Sequence, residues 1–310
     1  MSQDKPAYPR RLFMQWLAGL GAATTFGPGL AEPAPVVIKK AIPATGELLP
    51  VVGMGSWITF DVGEDQRERT ARLQVLQAFF DRGGALIDSS PMYGASQEVI
   101  GRCLQQIENK SKLFAATKVW IYGRWLGVKQ METARELWGV PRFDLMQIHN
   151  MLDWKAHLET LKAWKAEGRI RYIGITTSHG RHHDDMERAL AKEPFDFVQF
   201  TYNLADRDVE QRLLPLAAER GIAVIINRPF QGGALFGKVR GKALPAWAQE
   251  FGCVNWAQFF LKFIVSHPAV TCAIPATTRV DHMLENMGAG LGHLPDAAAR
   301  RRMQTYFGTL

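Results

Sequence analysis

The sequence predicts an α/β fold, a (β/α)8 TIM barrel preceded by an N-terminal β-hairpin. Short apolar runs alternate with longer amphipathic segments, and eight of the short runs are strand candidates. Their apolarity is continuous, as in parallel strands that are covered on both faces. Several amphipathic segments end in glycine, at Gly83, Gly139, Gly168 and Gly221, as helix-to-strand turns do. Eight such units in about 250 residues favour the barrel.

The first predicted element is the hairpin. Two short β-prone runs, residues 36–39 and residues 48–50, flank a turn at Thr45 and Gly46. The run that follows ends in Gly53-Met54-Gly55 and predicts the first barrel strand. These glycines alone are weak evidence for a dinucleotide turn, and no strand is followed by GxGxxG. A doubly wound parallel sheet is therefore the less favoured alternative.

The remaining elements alternate in chain order. The eight strands are predicted in VVGMG, ALIDS, LFAATKV, DLMQIH, YIGITT, DFVQFT, IAVIIN and TCAIPA. Helices are predicted between them in RTARLQVLQAFFDRG, EVIGRCLQQI, METARELWG, HLETLKAWKAEG, DDMERALAKE, VEQRLLPLAAERG and NWAQFFLKFIVSH. No linker interrupts this alternation, so one domain over residues 32–310 is predicted.

Residues 1–31 have the layout of a cleaved export signal. Arg10 and Arg11 precede a short apolar stretch rich in glycine, alanine and threonine, which ends in small residues before Glu32. The paired arginines predict a twin-arginine-type signal, a periplasmic or exported protein, and the twin-arginine translocation machinery as a partner. An unstructured tail on a cytoplasmic protein is the alternative. The apolar part is too short for a stable membrane span.

Composition excludes several classes of protein. The chain is 47% hydrophobic and 22% charged, which is typical of a globular protein. The 37 lysines and arginines exceed the 30 acidic residues, but they are scattered, and no nucleic-acid partner is expected. The cysteines, Cys103, Cys253 and Cys272, lack CxxC spacing, so no metal site is predicted from them. Buried free thiols are expected, and oxidation of one pair after export is the alternative.

Four polar residues follow neighbouring strands at the barrel end where such folds carry their chemistry. Asp88 ends the second strand, Tyr93 lies in the loop after it, Lys118 ends the third strand, and His149 ends the fourth. A nearby ammonium favours the phenolate, so Lys118 is expected to make the Tyr93 hydroxyl more acidic. Asp88 would hold the lysine, and His149 would donate a hydrogen bond to a carbonyl oxygen.

This combination indicates a reaction in which an oxygen gains a proton while another group arrives at carbon. Reduction of an aldehyde or ketone by hydride fits, with Tyr93 as the general acid. Because protein side chains do not deliver hydride, a nicotinamide cofactor is implied. A metal-dependent barrel hydrolase would need His-x-His at the first strand end, where the chain has Gly53-Met54-Gly55.

From about residue 36 to residue 286 the chain resembles the aldo-keto reductase superfamily, and specifically its bacterial members that carry twin-arginine signals. The resemblance rests on GMGSW, ALIDSSPMYGASQEVIG, ATKVW, LMQIHN and IPATTRVDHMLEN, which occur in the family's order and spacing. It implies that Tyr93, Lys118, Asp88 and His149 are the catalytic set. It also implies that NADPH binds across the barrel mouth.

The resemblance implies a set of cofactor contacts. They are Thr176, Thr177, Gln199, Arg228, Pro229, Gly232, Gly233, Leu235, Thr277, Arg279, Glu285 and Asn286. Among them, Gln199 matches the residue that holds the nicotinamide carboxamide, and Gly232, Gly233 and Leu235 match the loop around the pyrophosphate.

The chain departs from the common pattern at several of these positions. It has Thr176-Thr177 instead of Ser-Asn, and Asn227-Arg228 where many members stack an aromatic ring on the nicotinamide. The frequent 2′-phosphate contacts fall at Ala276 and His282, so Arg279 is the candidate replacement, and an exposed charge without a ligand is the alternative. NADP(H) is favoured over NAD(H).

The substrate pocket is predicted from aromatic residues after the strand ends. Trp57, Trp120 and Phe230 would form an apolar mouth suited to a small-molecule aromatic or aliphatic carbonyl. The histidine-rich segment near His179 precedes a predicted helix and favours an exposed turn over a metal site. A barrel that binds the nicotinamide cofactor without catalysis, as a redox sensor or a subunit, is the alternative function.

Overall fold

A computed structural model describes residues 36–310 of the chain. The predicted export signal, residues 1–31, lies outside the described residues. Within residues 36–310, no helix combines the length and the apolarity needed to cross a bilayer. In the same range, no three or more histidine, cysteine or acidic side chains are grouped so that they could hold a metal ion.

The described chain contains ten strands and ten α-helices that alternate over most of its length. The strands are β1 Lys39–Ala41, β2 Leu48–Pro50, β3 Met54–Gly55, β4 Leu86–Asp88, β5 Phe114–Val119, β6 Phe143–Ile148, β7 Ile170–Thr176, β8 Phe197–Thr201, β9 Ala223–Asn227 and β10 Cys272–Ala273. The helices are α1 Gln66–Asp81, α2 Ser96–Gln106, α3 Arg124–Trp138, α4 Trp154–Ala166, α5 His183–Lys192, α6 Leu213–Glu219, α7 Ala234–Lys238, α8 Trp256–Val265, α9 Val280–Gly288 and α10 Ala297–Gly308.

Strands β3 to β10 form the predicted (β/α)8 barrel. They pair in chain order as one eight-stranded sheet, and every pair is parallel. A parallel bridge between Val52 and Ala273 joins the first strand region to the last, and Gly53 N–H donates to the Ala273 carbonyl at 2.9 Å. All eight strand predictions and the barrel topology are confirmed.

The hairpin is present, but its first strand is shifted from the predicted residues 36–39 to Lys39–Ala41. The shift has two causes. Bonds between Ile42 and Glu47 across the turn fix the register, and Val37 pairs instead with Leu291. The hairpin closes the N-terminal end of the barrel, because the buried side chains of Ile42 and Leu49 join the apolar cluster inside it.

Two apolar layers surround the strands. The inner cluster contains Phe114, Leu145, Tyr172 and Phe197 and fills the barrel interior next to the hairpin. The outer cluster lies between the strands and the helices and is larger, which explains why the strands are apolar on both faces. The polar residues considered below therefore lie above a packed interior.

Glycines end the helices where the sequence predicts. Gly139 caps α3 with φ of 64°, and Gly168 and Gly221 follow α4 and α6 with φ of 73° and 64°. Residues with a Cβ rarely adopt these angles, so glycine lets the chain leave the helix directly. Gly101 has a different role in α2, because a Cβ there would lie 1.8 Å from the Leu137 carbonyl oxygen of α3.

The helices differ from the prediction mainly at their ends. Helix α3 begins at Arg124, seven residues before the predicted start, and α6 begins at Leu213, after a short 3-10 turn. Pro215 lies in the first turn of α6, where its missing N–H removes no helical bond. Helices α7, α9 and α10 are additional to the seven predicted helices.

The three cysteines are free thiols, as predicted. Cys103, Cys253 and Cys272 are all buried, and no disulfide links them. Burial raises the pKa of Cys103 and of Cys253 to about 11 and that of Cys272 to about 12. At neutral pH these thiols are protonated, which makes them poor nucleophiles.

Candidate active site

A cavity of about 370 Å³ opens at the C-terminal end of the barrel. Asp88, Tyr93 and His149 line it, and Lys118 lies beneath them. Parallel pairing puts these residues together, because Asp88 is opposite Ala116 and Lys118 is opposite Gln147. The structure thus brings all four predicted catalytic residues to one place.

Asp88 and Lys118 form a buried ion pair. The Lys118 Nζ donates to Asp88 Oδ2 and, at 2.9 Å, to the carbonyl of Ser89. Asp88 Oδ1 accepts from Gln147 Nε2 at 2.7 Å and from Gln199 Nε2 at 3.1 Å. Both carboxylate oxygens are therefore occupied, and the carboxylate is fixed against rotation.

The pair acts on Tyr93. Lys118 Nζ lies 5.1 Å from the centroid of the half-buried Tyr93 ring. Burial lowers the pKa of Lys118, but the attraction of Asp88 and Tyr93 outweighs it, so the net direction is upward and the lysine is charged. Lys118 is thus an ammonium next to a phenol, as the sequence predicts.

Lys118 lowers the pKa of Tyr93, as the sequence predicts, but burial has a larger and opposite effect. Burial raises the pKa of Tyr93 above its ordinary value, and this effect exceeds the lowering by Lys118; Asp88 also raises it. A phenolate loses more hydration in a buried site than the single nearby ammonium returns. Lys118 makes the hydroxyl more acidic only relative to the same buried site without a lysine.

His149 is a neutral imidazole at physiological pH. Burial, and secondarily the charge of Lys118, lowers its pKa from 6.5 to about 2. Its ring lies edge-on to the Tyr93 ring, with 5.7 Å between centroids. The loop after it is tight, since Asn150 and Met151 both have positive φ, and the Thr176 hydroxyl accepts the Asn150 N–H at 3.0 Å.

Half of the predicted cofactor contacts line the cavity. They are Thr176, Gln199, Arg228, Pro229, Gly232 and Gly233. Gly232 and Gly233 both have positive φ and are exposed, so the backbone of this loop is open to a ligand. The Gly233 N–H donates to the Phe230 carbonyl at 2.9 Å within the loop itself.

Gln199 has a fixed orientation. Its Nε2 donates to Asp88 and, at 3.1 Å, to Gln147 Oε1. Its Oε1 is thereby left as the acceptor, and Asn227 Nδ2 lies 3.4 Å from it. Asn227 also donates to the Thr177 carbonyl and accepts from Thr201, so it ties together the ends of three strands.

Cationic side chains stand on one side of the cavity. Arg181 and Arg228 line it together with His179, and a Cβ on Gly232 would lie 3.7 Å from Arg228 Nη2. Among residues 36–310, neither arginine has a carboxylate within 4.0 Å. Guanidinium groups in this state suit an anionic ligand.

The other predicted cofactor contacts lie away from the cavity wall. Leu235 and Asn286 are buried, Glu285 is half-buried on α9, and the buried Thr177 hydroxyl donates to the Arg181 carbonyl. The Thr277 hydroxyl accepts the backbone N–H of Arg279 at 3.1 Å. Their assignment as cofactor contacts stays a prediction.

Arg279 is exposed and already has an anionic partner. Its Nε and Nη2 donate to the two carboxylate oxygens of Asp281 at 3.0 and 2.5 Å. A cofactor phosphate at this position would compete with that carboxylate.

Two of the three residues predicted for the substrate pocket lie at the cavity, and their role in substrate binding stays a prediction. Trp57 and Phe230 line the cavity, whereas Trp120 does not. The ring centroid of Trp120 lies 6.4 Å from that of His149, and more than a third of the Trp120 surface is exposed. Met92 and Phe236 complete the apolar wall instead.

Two buried polar residues at the site are absent from the sequence-based set. Gln147 lies near the end of β6, two residues before His149, which follows the strand directly. A glutamine among the apolar residues at the end of the strand is the signal that identifies it. Ser90 follows Asp88 by two residues, and its hydroxyl lies 2.8 Å from His149 Nδ1.

Comparison with known proteins finds relatives in sequence and in fold. The model of a family described as "Aldo/keto reductase family" matches residues 51–301, most of the chain. Methylglyoxal reductase YeaE of Escherichia coli (strain K12) is 26% identical over 258 residues, which cover 80% of this chain and 88% of that protein.

Solved structures share the fold. An aldo-keto reductase from Klebsiella pneumoniae in complex with NADPH aligns with a TM-score of 0.74 and 22% identity, over 88% of this chain and 96% of that one. An aldo/keto reductase from the same organism, in complex with NADP and acetate, aligns with a TM-score of 0.73 and 22% identity. That alignment covers 87% of this chain and 96% of the other.

Proposed function

Because the chain belongs to the aldo/keto reductase family, we propose that it is an NADPH-dependent carbonyl reductase with Tyr93 as its general acid. One observation carries the proposal: Tyr93, His149 and the Asp88–Lys118 pair meet at one cavity. Aldehydes and ketones with aromatic or aliphatic groups are the proposed substrates, because Trp57, Met92 and Phe230 make the wall apolar.

Each catalytic side chain has a separate task. When bound, a reduced nicotinamide would supply the hydride for the carbonyl carbon. The Tyr93 hydroxyl donates its proton to the carbonyl oxygen, so the product is an alcohol and the tyrosine is left as a phenolate. The ammonium of Lys118 stabilises that phenolate, and Asp88 holds the ammonium in place. His149, being neutral, donates one hydrogen bond to the same oxygen.

Other residues that line the cavity fit a nicotinamide dinucleotide. Gln199 presents an oxygen that can accept from the carboxamide N–H, because its own N–H groups are used by Asp88 and Gln147. The Gly232–Gly233 loop, Arg228 and Arg181 offer open backbone and positive charge for the phosphates. The NADP complexes of the Klebsiella proteins support NADP(H) over NAD(H).

Asn227 supports a second candidate function. A polar side chain, held by three hydrogen bonds, stands where many members of the family have a stacking aromatic ring. A barrel that serves as a sensor or a subunit would still bind the cofactor in this cavity but would not catalyse the reduction. The experiment below separates the two functions.

The test follows the absorbance of NADPH during incubation with 4-nitrobenzaldehyde. Wild type should consume NADPH, and Tyr93→Phe should lose about 100- to 10,000-fold in kcat, since it lacks the proton donor. NADPH binding, measured by fluorescence, should be unchanged in the variant. Tyr122→Phe is the matched control, because Tyr122 is 71% exposed and lies outside the cavity wall. NADPH binding without turnover by the wild type would favour the non-catalytic function.

We also propose that residues 1–31 direct twin-arginine export, which would make the protein periplasmic. The paired Arg10 and Arg11 and the small-residue end before Glu32 support this. In a fractionated bacterial host, the double change Arg10→Lys and Arg11→Lys should retain the full-length precursor in the cytoplasm. The same double change at Arg301 and Arg302 is the control. Equal cytoplasmic amounts of both variants and wild type would contradict export.

A further inference from the structure

Ser90 contacts the imidazole of His149 from inside the barrel. Its Oγ lies 2.8 Å from His149 Nδ1, and the two residues are 0% and 5% exposed. No established role in the proposed reaction requires a hydroxyl at this position, because Tyr93 supplies the proton and Lys118 supplies the charge.

The surrounding hydrogen bonds decide which group donates. The Met92 N–H donates to Ser90 Oγ at 3.2 Å, which occupies one lone pair of the hydroxyl. Within residues 36–310, Nδ1 is the one remaining hydrogen-bond partner of this hydroxyl. The buried Ser90 proton has an acceptor only if it points at Nδ1, because an unsatisfied buried O–H is costly; this favours Nδ1 as the acceptor.

The protonation state of His149 gives this bond a consequence. A neutral imidazole carries one N–H, and burial keeps His149 neutral at physiological pH. If Nδ1 accepts from Ser90, the hydrogen must be on Nε2. In the described chain Nε2 has no hydrogen-bond partner, and the ring lines the cavity.

We propose that Ser90 is a positioning residue that fixes His149 in its Nε2–H tautomer and so directs a donor into the cavity. The proposal rests on the proposed function, in which His149 must donate to a carbonyl oxygen. The opposite tautomer would present a nitrogen lone pair to that oxygen, and the two would repel each other. A hydrogen bond at one ring nitrogen determines the tautomer at the other.

The direct test is nitrogen NMR of the full chain labelled with 15N-histidine, recorded without substrate at about pH 8, above the ordinary histidine pKa. In wild type, Nδ1 of His149 should resonate as an unprotonated nitrogen and Nε2 as a protonated one. In Ser90→Ala, the two resonances should move toward each other as both tautomers become populated. The His149→Asn variant identifies the signals.

A second buried histidine is an internal reference in the same spectrum. His157 Nε2 lies 2.7 Å from the Ile121 carbonyl oxygen, which can only accept, so its tautomer is fixed independently of Ser90. Its signals should be the same in wild type and in Ser90→Ala. A protonated Nδ1 in wild-type His149, or no change on Ser90→Ala, would overturn the proposal.

Kinetics supply the second readout. Ser90→Ala should lower kcat/KM for the carbonyl about 10- to 100-fold and leave the NADPH dissociation constant unchanged. Ser90→Thr keeps the hydroxyl and should restore the wild-type nitrogen shifts and most of the rate. Loss of rate with unchanged shifts would show a structural effect on the Met92 loop and would also overturn the proposal. Because the NMR result needs no turnover, it stands even if the reductase assignment fails.

Discussion

At the scale of single residues, the central feature is the full occupation of the Asp88 carboxylate. One oxygen takes the Lys118 ammonium, and the other takes the amides of Gln147 and Gln199. Removing one partner of a buried ion pair leaves an unpaired charge, which costs far more than an exposed pair contributes. The Asp88–Lys118 pair is therefore expected to be a determinant of stability as well.

Asp88→Asn should lower the free energy of unfolding by about 3 to 5 kcal/mol, because it leaves the Lys118 ammonium buried without its counter-charge. The loss should shrink as the pH rises toward the lysine pKa, since Lys118 can then become neutral. Urea denaturation at neutral and alkaline pH measures both effects. Asp281→Asn is the control, since its pair with Arg279 is exposed and the free energy should hardly change. Equal losses in the two variants would contradict the prediction.

The sequence predicts that the candidate catalytic residues lie together, because each follows an apolar run. Asp88, Lys118 and His149 are polar groups at strand ends, and a barrel brings strand ends together. Ser90 cannot be found in this way, since its role depends on the distance to a histidine 59 residues away. The pKa of Tyr93 could not be predicted either, because it depends on burial, which motifs do not report.

At the scale of secondary-structure elements, the contact between α2 and α3 depends on one glycine. Gly101 faces the last turn of α3, and a Cβ there would be 1.8 Å from the Leu137 carbonyl oxygen and 3.0 Å from Trp138 Cα. Both neighbours are backbone atoms, so neither can move without moving the helix. Trp138 is itself buried, which makes an outward shift of α3 costly.

Gly101→Ala should therefore destabilise the protein by about 3 kcal/mol, although alanine favours helix. Gly308→Ala, at the end of α10, is the matched control, because a Cβ at Gly308 meets nothing within 4 Å. Thermal unfolding of the two variants beside wild type tests the difference. A Gly101→Ala variant as stable as wild type would mean that the two helices separate easily.

The secondary-structure elements that depend on the local sequence pattern are the ones that the sequence predicts at the correct position. The eight barrel strands are apolar runs and appear where the pattern predicts them. The hairpin strand is displaced because its register depends on a distant partner at Gly290–Leu291. Helix α7 has five residues, too few for a helical period to emerge from the sequence.

At the scale of the whole molecule, two histidines are held neutral. Burial lowers the pKa of His267 to about 4, helped by Arg300 and Lys40, and that of His149 to about 2. The unfolded chain would protonate both near 6.5. Below that pH the unfolded state binds more protons than the folded state, so the free energy of unfolding must fall with acidification.

We expect the free energy of unfolding to fall as the pH drops below about 6.5. The part of this fall that is due to His267 should be complete near pH 4. His267 alone accounts for a fall of at most about 3 kcal/mol in the free energy of unfolding between these pH values. His267→Gln should show a shallower decline when urea midpoints are measured between these pH values. His282→Gln, an exposed position, should follow the wild-type curve. Parallel curves for wild type and His267→Gln would contradict the prediction.

The three buried thiols can report local opening of the folded protein. Because Cys103, Cys253 and Cys272 are inaccessible and protonated in the folded chain, a thiol reagent can react only when a region opens. The rate at which each thiol is labelled would measure the opening of the part of the barrel around that cysteine, without an engineered reporter group. Because the three native thiols do not react in the folded protein, a single cysteine introduced at the cavity mouth could be labelled selectively.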